Sequence, residues 1–411
     1  MAAAKASLLL QLPTTAPPTI PLPRQRRRPP VTVAMASSSS TSGSAKPVVL
    51  GCGGISTDYL ATVASFPNPD DKIRSLELKV QGGGNVGNAL TAAARLGLAP
   101  RIISKVANDA LGRNILKELQ ADGVDTTYMV VSEDGNSSFT YIIVDNQTKT
   151  RTCIHTPGYP PMVPEELTKE NLFAALDGVN VVYFDVRLPE TALVVAEEAS
   201  QRKIPILIDA ERKREGLDEL LNFTSYVAWT GASSVPVALV SMLSKLPNIK
   251  FVIVTLGEKG CIMLERSMID ASEAEEIDVE ILVESLEKKV DRSSGPKCIA
   301  SKSNLRISAD GVGSMSGRLI LGTAEAIPPE ELIDTTGAGD AFVGAVLYGL
   351  CTGMPPEKML PFAAQVGLEV ASPVAQTRTW LAIDSTIIIG CEIAPQLGCP
   401  SLPPQADGSH A

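Results

Sequence analysis

Buried strands and amphipathic helices alternate along most of this chain, and that rhythm confines the fold more than any other feature. PVVLGCGGIS (47–56) reads as a strand running into a Gly-rich loop, and SLELKV (75–80) alternates as a second strand. VGNALTAAARLG (86–97) is an Ala-rich helix closed by Gly97. RIISKVA (101–107) is the next strand, and LGRNILKELQADG (111–123) the next helix. The pattern resumes with VNVVYFDV (179–186), a helix through ETALVVAEEASQR, PILIDA (205–210) and FVIVTLG (251–257). AFVGAVLYGLCT (341–352) closes it as an apolar helix. Such βα repeats with short links build a mostly parallel sheet covered by helices on both faces, so the fold class is α/β.

Three stretches break the rhythm. TTYMVVS (126–132), SSFTYIIVD (137–145) and TRTCIHT (150–156) are β-branched and aromatic, joined by the turn-rich EDGN and NQTK. They read as antiparallel strands outside the main sheet. Together with SLELKV they predict a small sheet over one face, from about 70–82 and 125–157. The acidic, then polar stretch 267–323 reads as an insertion of low order containing one short helix, EILVESLEKKV. After residue 372 the chain is atypical: LAIDSTIIIG (381–390) reads as a strand and the end as coil. One domain over 47–372 accommodates the rest.

No Asp or Glu precedes Asp58, whereas Lys5, Arg24, Arg26, Arg27, Arg28 and Lys46 fall in that stretch beside ASSSSTSGSA (36–45). An acid-free, Ser-rich, basic segment has the composition of an organelle transit peptide, and the Ser and Pro bias favours the chloroplast stroma. Residues 1–46 are therefore expected to be a targeting segment, processed near Met35. The formal net charge of −10 argues against broad affinity for nucleic acid or anionic membranes. No apolar run long enough to span a bilayer occurs. Seven widely spaced Cys without CxxC, and only two His, argue against structural zinc, a disulfide framework and a histidine relay.

The chemistry-bearing string is Asp334-Thr335-Thr336-Gly337-Ala338-Gly339-Asp340, directly before an apolar helix. Small residues let backbone N–H groups approach an anion, and the helix start adds a field favourable to phosphate. Asp340 is placed to take the proton of an attacking hydroxyl while the N–H groups of Gly337, Ala338 and Gly339 stabilise a transferring phosphoryl group. There is no GxxxxGK[ST] P-loop and no protein-kinase signature.

DTTGAGDAF (334–342) resembles the C-terminal signature of the PfkB, or ribokinase-like, carbohydrate and nucleoside kinases. GGGNVGNALTAAARLG (82–97) resembles their N-terminal signature. The details are similar to the ketohexokinase and fructokinase side of the family, in a plastid member. The resemblance covers roughly 48–371. It implies a ribokinase-like fold with a small β-sheet lid, Mg-ATP as phosphoryl donor, a small sugar or nucleoside as acceptor, and a homodimer through the lid. It implies that Asp58, Gly83, Gly84, Asn85 and Asn88 meet the acceptor, although Asn85 also suits a helix cap. Arg151 faces a phosphate or the solvent, and His155 is a lid contact. Thr255, Gly257 and Gly260 in TLGEKG, with Thr336, are implied on the nucleotide side. Asp209 and Glu211 are implied near magnesium, and Asp185 and Arg187 are substrate-side neighbours.

Two departures stand out. Family members carry an NxxE stretch ahead of the TLG strand, yet SYVAWTGASSVPVALV (225–240) contains neither Asn nor Glu. The segment after residue 371 matches no part of the family pattern.

Overall fold

The computed structural model describes residues 45–148, 150–210, 216–220, 234–267, 276–292, 295–324, 337–369 and 387–391. Residues 1–44, expected as most of a targeting segment, and Thr336, Glu211, residues 225–233 and residues 373–386 lie outside them. In chain order the first half contains β1 (Val48–Cys52), β2 (Ser56–Val63), β3 (Glu77–Gly83), α1 (Asn85–Arg95), β4 (Ala99–Ala107), α2 (Ala110–Ala121), β5 (Met129–Ser132), β6 (Phe139–Asp145), β7 (Thr150–Thr156), α3 (Lys169–Leu176), β8 (Val179–Phe184), α4 (Pro189–Gln201) and β9 (Ile206–Asp209). The second half contains α5 (Leu217–Leu220), α6 (Val235–Lys245), β10 (Ile249–Thr255), β11 (Cys261–Arg266), β12 (Glu276–Asp278), α7 (Val279–Glu287), β13 (Cys298–Ala300), β14 (Leu305–Ala309), β15 (Gly313–Gly322), α8 (Ala338–Cys351), α9 (Pro356–Glu369) and β16 (Ile387–Cys391).

The large sheet runs β12-β14-β15-β11-β10-β16-β9-β8-β1-β4-β5. Strands β9, β8, β1, β4 and β5 are mutually parallel. Alternation along the strands feeds two cores. Leu50, Val182 and Ile208 pack on one face with α3, α4, α6 and α7, whereas Val49, Val181 and Leu207 pack on the other with α1, α2, α8 and α9. This is the covered sheet that the sequence rhythm predicts, because strands buried on both faces are apolar at every position.

A second, four-stranded sheet, β3-β2-β6-β7, forms the lid. It differs from the expected lid in two ways. Strand β2, which carries Asp58, belongs to it, so Asp58 sits inside a lid strand rather than just beyond a loop. Strand β5, expected among the antiparallel strands, instead pairs parallel with β4 at the edge of the main sheet. The two differences share one cause: side-chain periodicity is the same in either sheet, and only long-range pairing decides which sheet a short strand joins.

The stretch 267–323 is also corrected. Its short helix is present as α7, but around it β12, β13, β14 and β15 extend the main sheet: β15 pairs antiparallel with β11, β13 and β14, and β12 pairs parallel with β14. Their glycines and polar residues gave a coil-like reading; in the fold Gly311 and Gly313, with φ of 70° and 120°, make the β14–β15 turn at the sheet edge. Strand β16 lies antiparallel between β9 and β10. That slot immediately precedes the TLG strand in the sheet.

Candidate active site

A cleft of about 620 Å³ opens between the lid and the ends of β1, β8 and the two helices α1 and α8. The chain crosses from β1 into lid strand β2 through Gly53-Gly54-Ile55, all three of which line the cleft. Ser104 Oγ donates to the Gly53 carbonyl at 2.7 Å and pins this crossing to β4.

The lid turns one face of its strands inward, and pairing arranges that face in rows. Asp58, Thr140 and His155 stand abreast, then Leu60, Ile142 and Cys153, then Thr62, Val144 and Arg151. Asp58, Thr140, Ile142, Arg151, Cys153 and His155 all line the cleft. Asp58 is 5% exposed, accepts a hydrogen bond from Ser56 Oγ at 2.8 Å, and leaves no room at Gly83, where a Cβ would stand 2.3 Å from its carboxylate. His155 Nδ1 lies 3.1 Å from Thr140 Oγ1, so it is a lid contact as well as a lining residue. The opposite face of the lid presents Leu78, Val80, Tyr141 and Ile154, all more than half exposed.

Across the cleft, α1 and α8 meet at an unusually short separation. A Cβ at Gly344 would stand 2.6 Å from both the Ala89 carbonyl oxygen and Ala92 Cβ, so only glycine permits this crossing. The crossing brings Asn88 of α1 to Asp340 in the first turn of α8, with Asn88 Nδ2 donating to Asp340 Oδ2 at 2.8 Å. Gly337 precedes α8 with φ 82° and ψ −3°, a left-handed conformation that glycine adopts without strain. The Ala341 amide bonds to the Gly337 carbonyl, so the amides of residues 338–340 belong to the turn that has no intrahelical acceptor. Gly337, Gly339 and Asp340 line the cleft, and Ala338 is buried behind them.

The structure thus gathers Asp58, Gly84, Asn85, Asn88, Arg151, Gly337, Gly339 and Asp340 around one cleft. Gly83 stands beside it against Asp58. Asp209, 3% exposed at the end of β9, accepts from Asn85 Nδ2 at 3.4 Å. Thr255, Gly257 and Gly260 are not on the lining of this cleft; they form the turn from β10 to β11. Gly260 has φ 94°, and a Cβ there would stand 2.0 Å from the Gly322 carbonyl oxygen, so its glycine answers to strand packing. Among the described residues, no group of three or more His, Cys, Asp or Glu comes together. A single buried carboxylate nearby still fits magnesium, which keeps its waters and binds largely through substrate phosphates.

The turn after β8 carries Arg187, expected as a substrate-side neighbour, together with lining residues that sequence reasoning did not name. Val186, Arg187, Leu188 and Pro189 line the cleft. Lys105 also lines it and was not foreseen; its Nζ pairs with Glu166 at 2.7 Å. The signal for the turn was present as a carboxylate at a strand's C-terminal end, where α/β proteins build sites.

A family model described as pfkB family carbohydrate kinase matches residues 50–279 and 321–377. Its interruption coincides with α7, β13, β14 and most of β15. The chain is 22% identical to mouse ketohexokinase over 323 residues, 77% of this chain and 94% of that protein. It is 23% identical to mouse ribokinase over 304 residues, covering 72% and 80%. It is 24% identical to the guanosine-inosine kinase of Exiguobacterium acetylicum over 306 residues, covering 72% and 84%. Among solved structures, Giardia lamblia ribokinase superposes with a TM-score of 0.56 at 16% identity, covering 81% of this chain and 96% of the other. The Burkholderia thailandensis nucleoside kinase in complex with inosine gives 0.53 at 19% identity, covering 80% and 94%. The fold is ribokinase-like: a central mostly parallel sheet flanked by helices, with an additional small sheet.

Proposed function

Because the chain belongs to the pfkB family of carbohydrate kinases, we propose that it transfers a phosphoryl group from Mg-ATP to a hydroxyl of a small sugar or nucleoside. The observation that carries this reading is the position of Asp340. It stands in the first turn of α8, bonded at 2.8 Å to Asn88, in the same cleft as Asp58 and Asn85. Asp340 accepts the proton of the attacking hydroxyl. The amides at the start of α8 face the developing phosphoryl charge, with the helix field in support. Asp58, Asn85 and Asn88 orient the acceptor, because carboxylates and carboxamides left unpaired in a closed site would reject a molecule lacking the matching hydroxyls. Magnesium supplies charge neutralisation of the nucleotide phosphates, and Asp209 with Glu211 are the proposed residues near it. Thr255, Gly257, Gly260 and Thr336 are assigned to the nucleotide. The lid excludes water, which limits hydrolysis of ATP.

The test is a mass-spectrometric screen for ATP-dependent phosphate transfer, using protein beginning near Met35, a panel of sugars and nucleosides, and Asp340→Asn as control. A phosphorylated product absent from the control supports the kinase and names the acceptor class. Folded protein that phosphorylates nothing in the panel sinks the reading. A second reading, a ligand-binding or plastid assembly protein with weakened catalysis, is favoured by one observation: the stretch 225–240 lacks the Asn and Glu of NxxE.

Two further proposals accompany the activity. The acid-free segment 1–46 directs the protein to the chloroplast stroma; a fluorescent fusion that stays in the cytosol would refute this. The outer lid face, with Leu78, Val80, Tyr141 and Ile154, pairs with a second copy of the chain. Sedimentation should then show a dimer that Tyr141→Glu dissociates, and a monomeric native chain would dismiss it.

A further inference from the structure

The carboxylate of Asp185 is 2% exposed and lies just past the end of β8. Backbone amides from two separate walls of the cleft donate to it, and one of these walls is tied to the start of α1. The Gly54 amide donates to Oδ2 at 2.9 Å, and the Arg187 amide donates to Oδ1 at 3.1 Å. The start of α1 is tied to the same crossing, its Gly87 amide donating to the Gly54 carbonyl at 3.4 Å, and the Val86 amide lies close enough to favour the charged form of the carboxylate. Gly54 belongs to the crossing into the lid, Arg187 to the turn after β8, and Val86 to the helix that carries Asn85 and Asn88. The fit is close: a Cβ at Gly53 would stand 2.0 Å from Asp185 Oδ1.

The next residue strengthens the case. Val186 has φ 56°, a left-handed conformation that is a genuine outlier for a β-branched side chain. Strain of this kind persists only where the surroundings impose it, and it concentrates at functional sites. Here it reverses the chain so that the Arg187 amide reaches Asp185 while Arg187 lines the cleft. Burial raises the Asp185 carboxyl above its ordinary range, against the donors and the nearby Arg187 charge. Burial, with Asp185 alongside, also pushes the neighbouring Cys52 thiol far up.

We propose that Asp185 is a positioning residue: it joins the lid crossing, the start of α1 and the Arg187 turn, and thereby fixes Asn88 and Arg187 relative to Asp340. It acts through these amides and not on the acceptor directly, and its consequence for turnover rests on the kinase reading above. The carboxylate also lies near the positive end of α1 and answers part of its field.

The test uses the full chain with Asp185→Asn, which keeps size and removes one acceptor oxygen. Cys153, an exposed thiol on the inner lid face, reports the lid's placement without any ligand. Alkylation of Cys153 by N-ethylmaleimide, followed by peptide mass, should quicken about fivefold in the variant as the crossing opens locally. With an acceptor from the screen, kcat should fall at least about tenfold, while acceptor KM stays within about threefold. A merely structural role would lower thermal stability and leave kcat of the folded protein unchanged. Gly53→Ala, which displaces the carboxylate but retains its charge, should reproduce both effects and serves if Asp185→Asn does not fold. Faster labelling in a chain that phosphorylates nothing supports the joining role and sinks the kinase reading instead. Labelling and kcat both within about twofold of native, in folded variants, would overturn the proposal.

Discussion

Two helices begin at the cleft, and their first turns are treated in opposite ways. Both α1 and α8 follow a glycine with positive φ, Gly84 at 87° and Gly337 at 82°, and neither has a side-chain cap at that position. Helix α1 has no acidic residue in its first turn, yet a carboxylate reaches it from β8: Asp185, facing the Val86 amide. Helix α8 carries its own Asp340 in the first turn, and that side chain is held sideways by Asn88. One positive helix end therefore has a carboxylate set beside it from elsewhere in the protein, and the other faces the cleft with its acid turned towards Asn88. A helix start is a general attractor of anions; what distinguishes these two is which one the fold has already satisfied.

That contrast can be broken most severely at Asp340. Asp340→Asn should bind acceptor and nucleotide yet lose at least about a hundredfold in turnover, the scale for removing a positioned base. ADP release that depends on the acceptor, or product mass, decides it, and near-native turnover would end the assignment. Asn88→Leu removes the 2.8 Å bond from Asn88 to Asp340 and should lower kcat about tenfold with little change in nucleotide affinity. Equal losses in kcat and affinity would mean that Asn88 serves binding instead. Gly337→Ala forces an alanine into the left-handed region before α8 and should cost about 1–2 kcal/mol in denaturant unfolding. The matching change at Gly84 should cost more, because a Cβ there also meets the Gly54 carbonyl oxygen at 2.6 Å.

The smallest effects concern pH, and two carboxylates at helix starts should respond with opposite sign. Asp109 caps α2: it accepts from the Gly112 amide at 2.6 Å and from the amide and hydroxyl of Ser137. Burial works against its charge, but these bonds together hold its carboxyl below the ordinary value of 3.8. Its contribution is thus present above pH 3.8 and lost as the pH falls through the lower folded value. Asp109→Ala should cost about 1 kcal/mol at neutral pH, and the gap should close in acid. Asp185 is raised, so its sign reverses: its contribution is greatest below 3.8 and is lost as pH rises through the folded value. Thermal unfolding of Asp185→Asn against native protein, across pH, should therefore show the native advantage shrinking towards alkali. A gap that widened with pH would contradict burial as the dominant influence on Asp185.

Much of the main sheet was legible because its strands are apolar on both faces and its helices carry plain stop signals such as Gly97 and Gly123. The Asp340 turn was legible because its glycines serve local backbone geometry. The lid was half legible. Periodicity marks β5 and β6 equally as strands, and only pairing with β4 or β2 separates them. Strands β14 and β15 were hidden because polar residues and glycine alternate with their buried apolar positions, in LRISA and GSMSGRLILG. Asp185 was visible as an acid at a strand end. Its partners are amides, which every residue possesses, so no side-chain pattern could name them.

The contact of Gly344 with Ala89 and Ala92 has a consequence for how a molecule of this kind changes over time. Backbone rests on backbone there, so the spacing between Asn88 and Asp340 cannot drift by small exchanges of side chains. The lid has no such restraint; rows of replaceable side chains face the cleft from a sheet attached through glycines. On the kinase reading proposed above, the choice of acceptor can change on one side of the cleft while the spacing of Asn88 and Asp340 is inherited unaltered on the other.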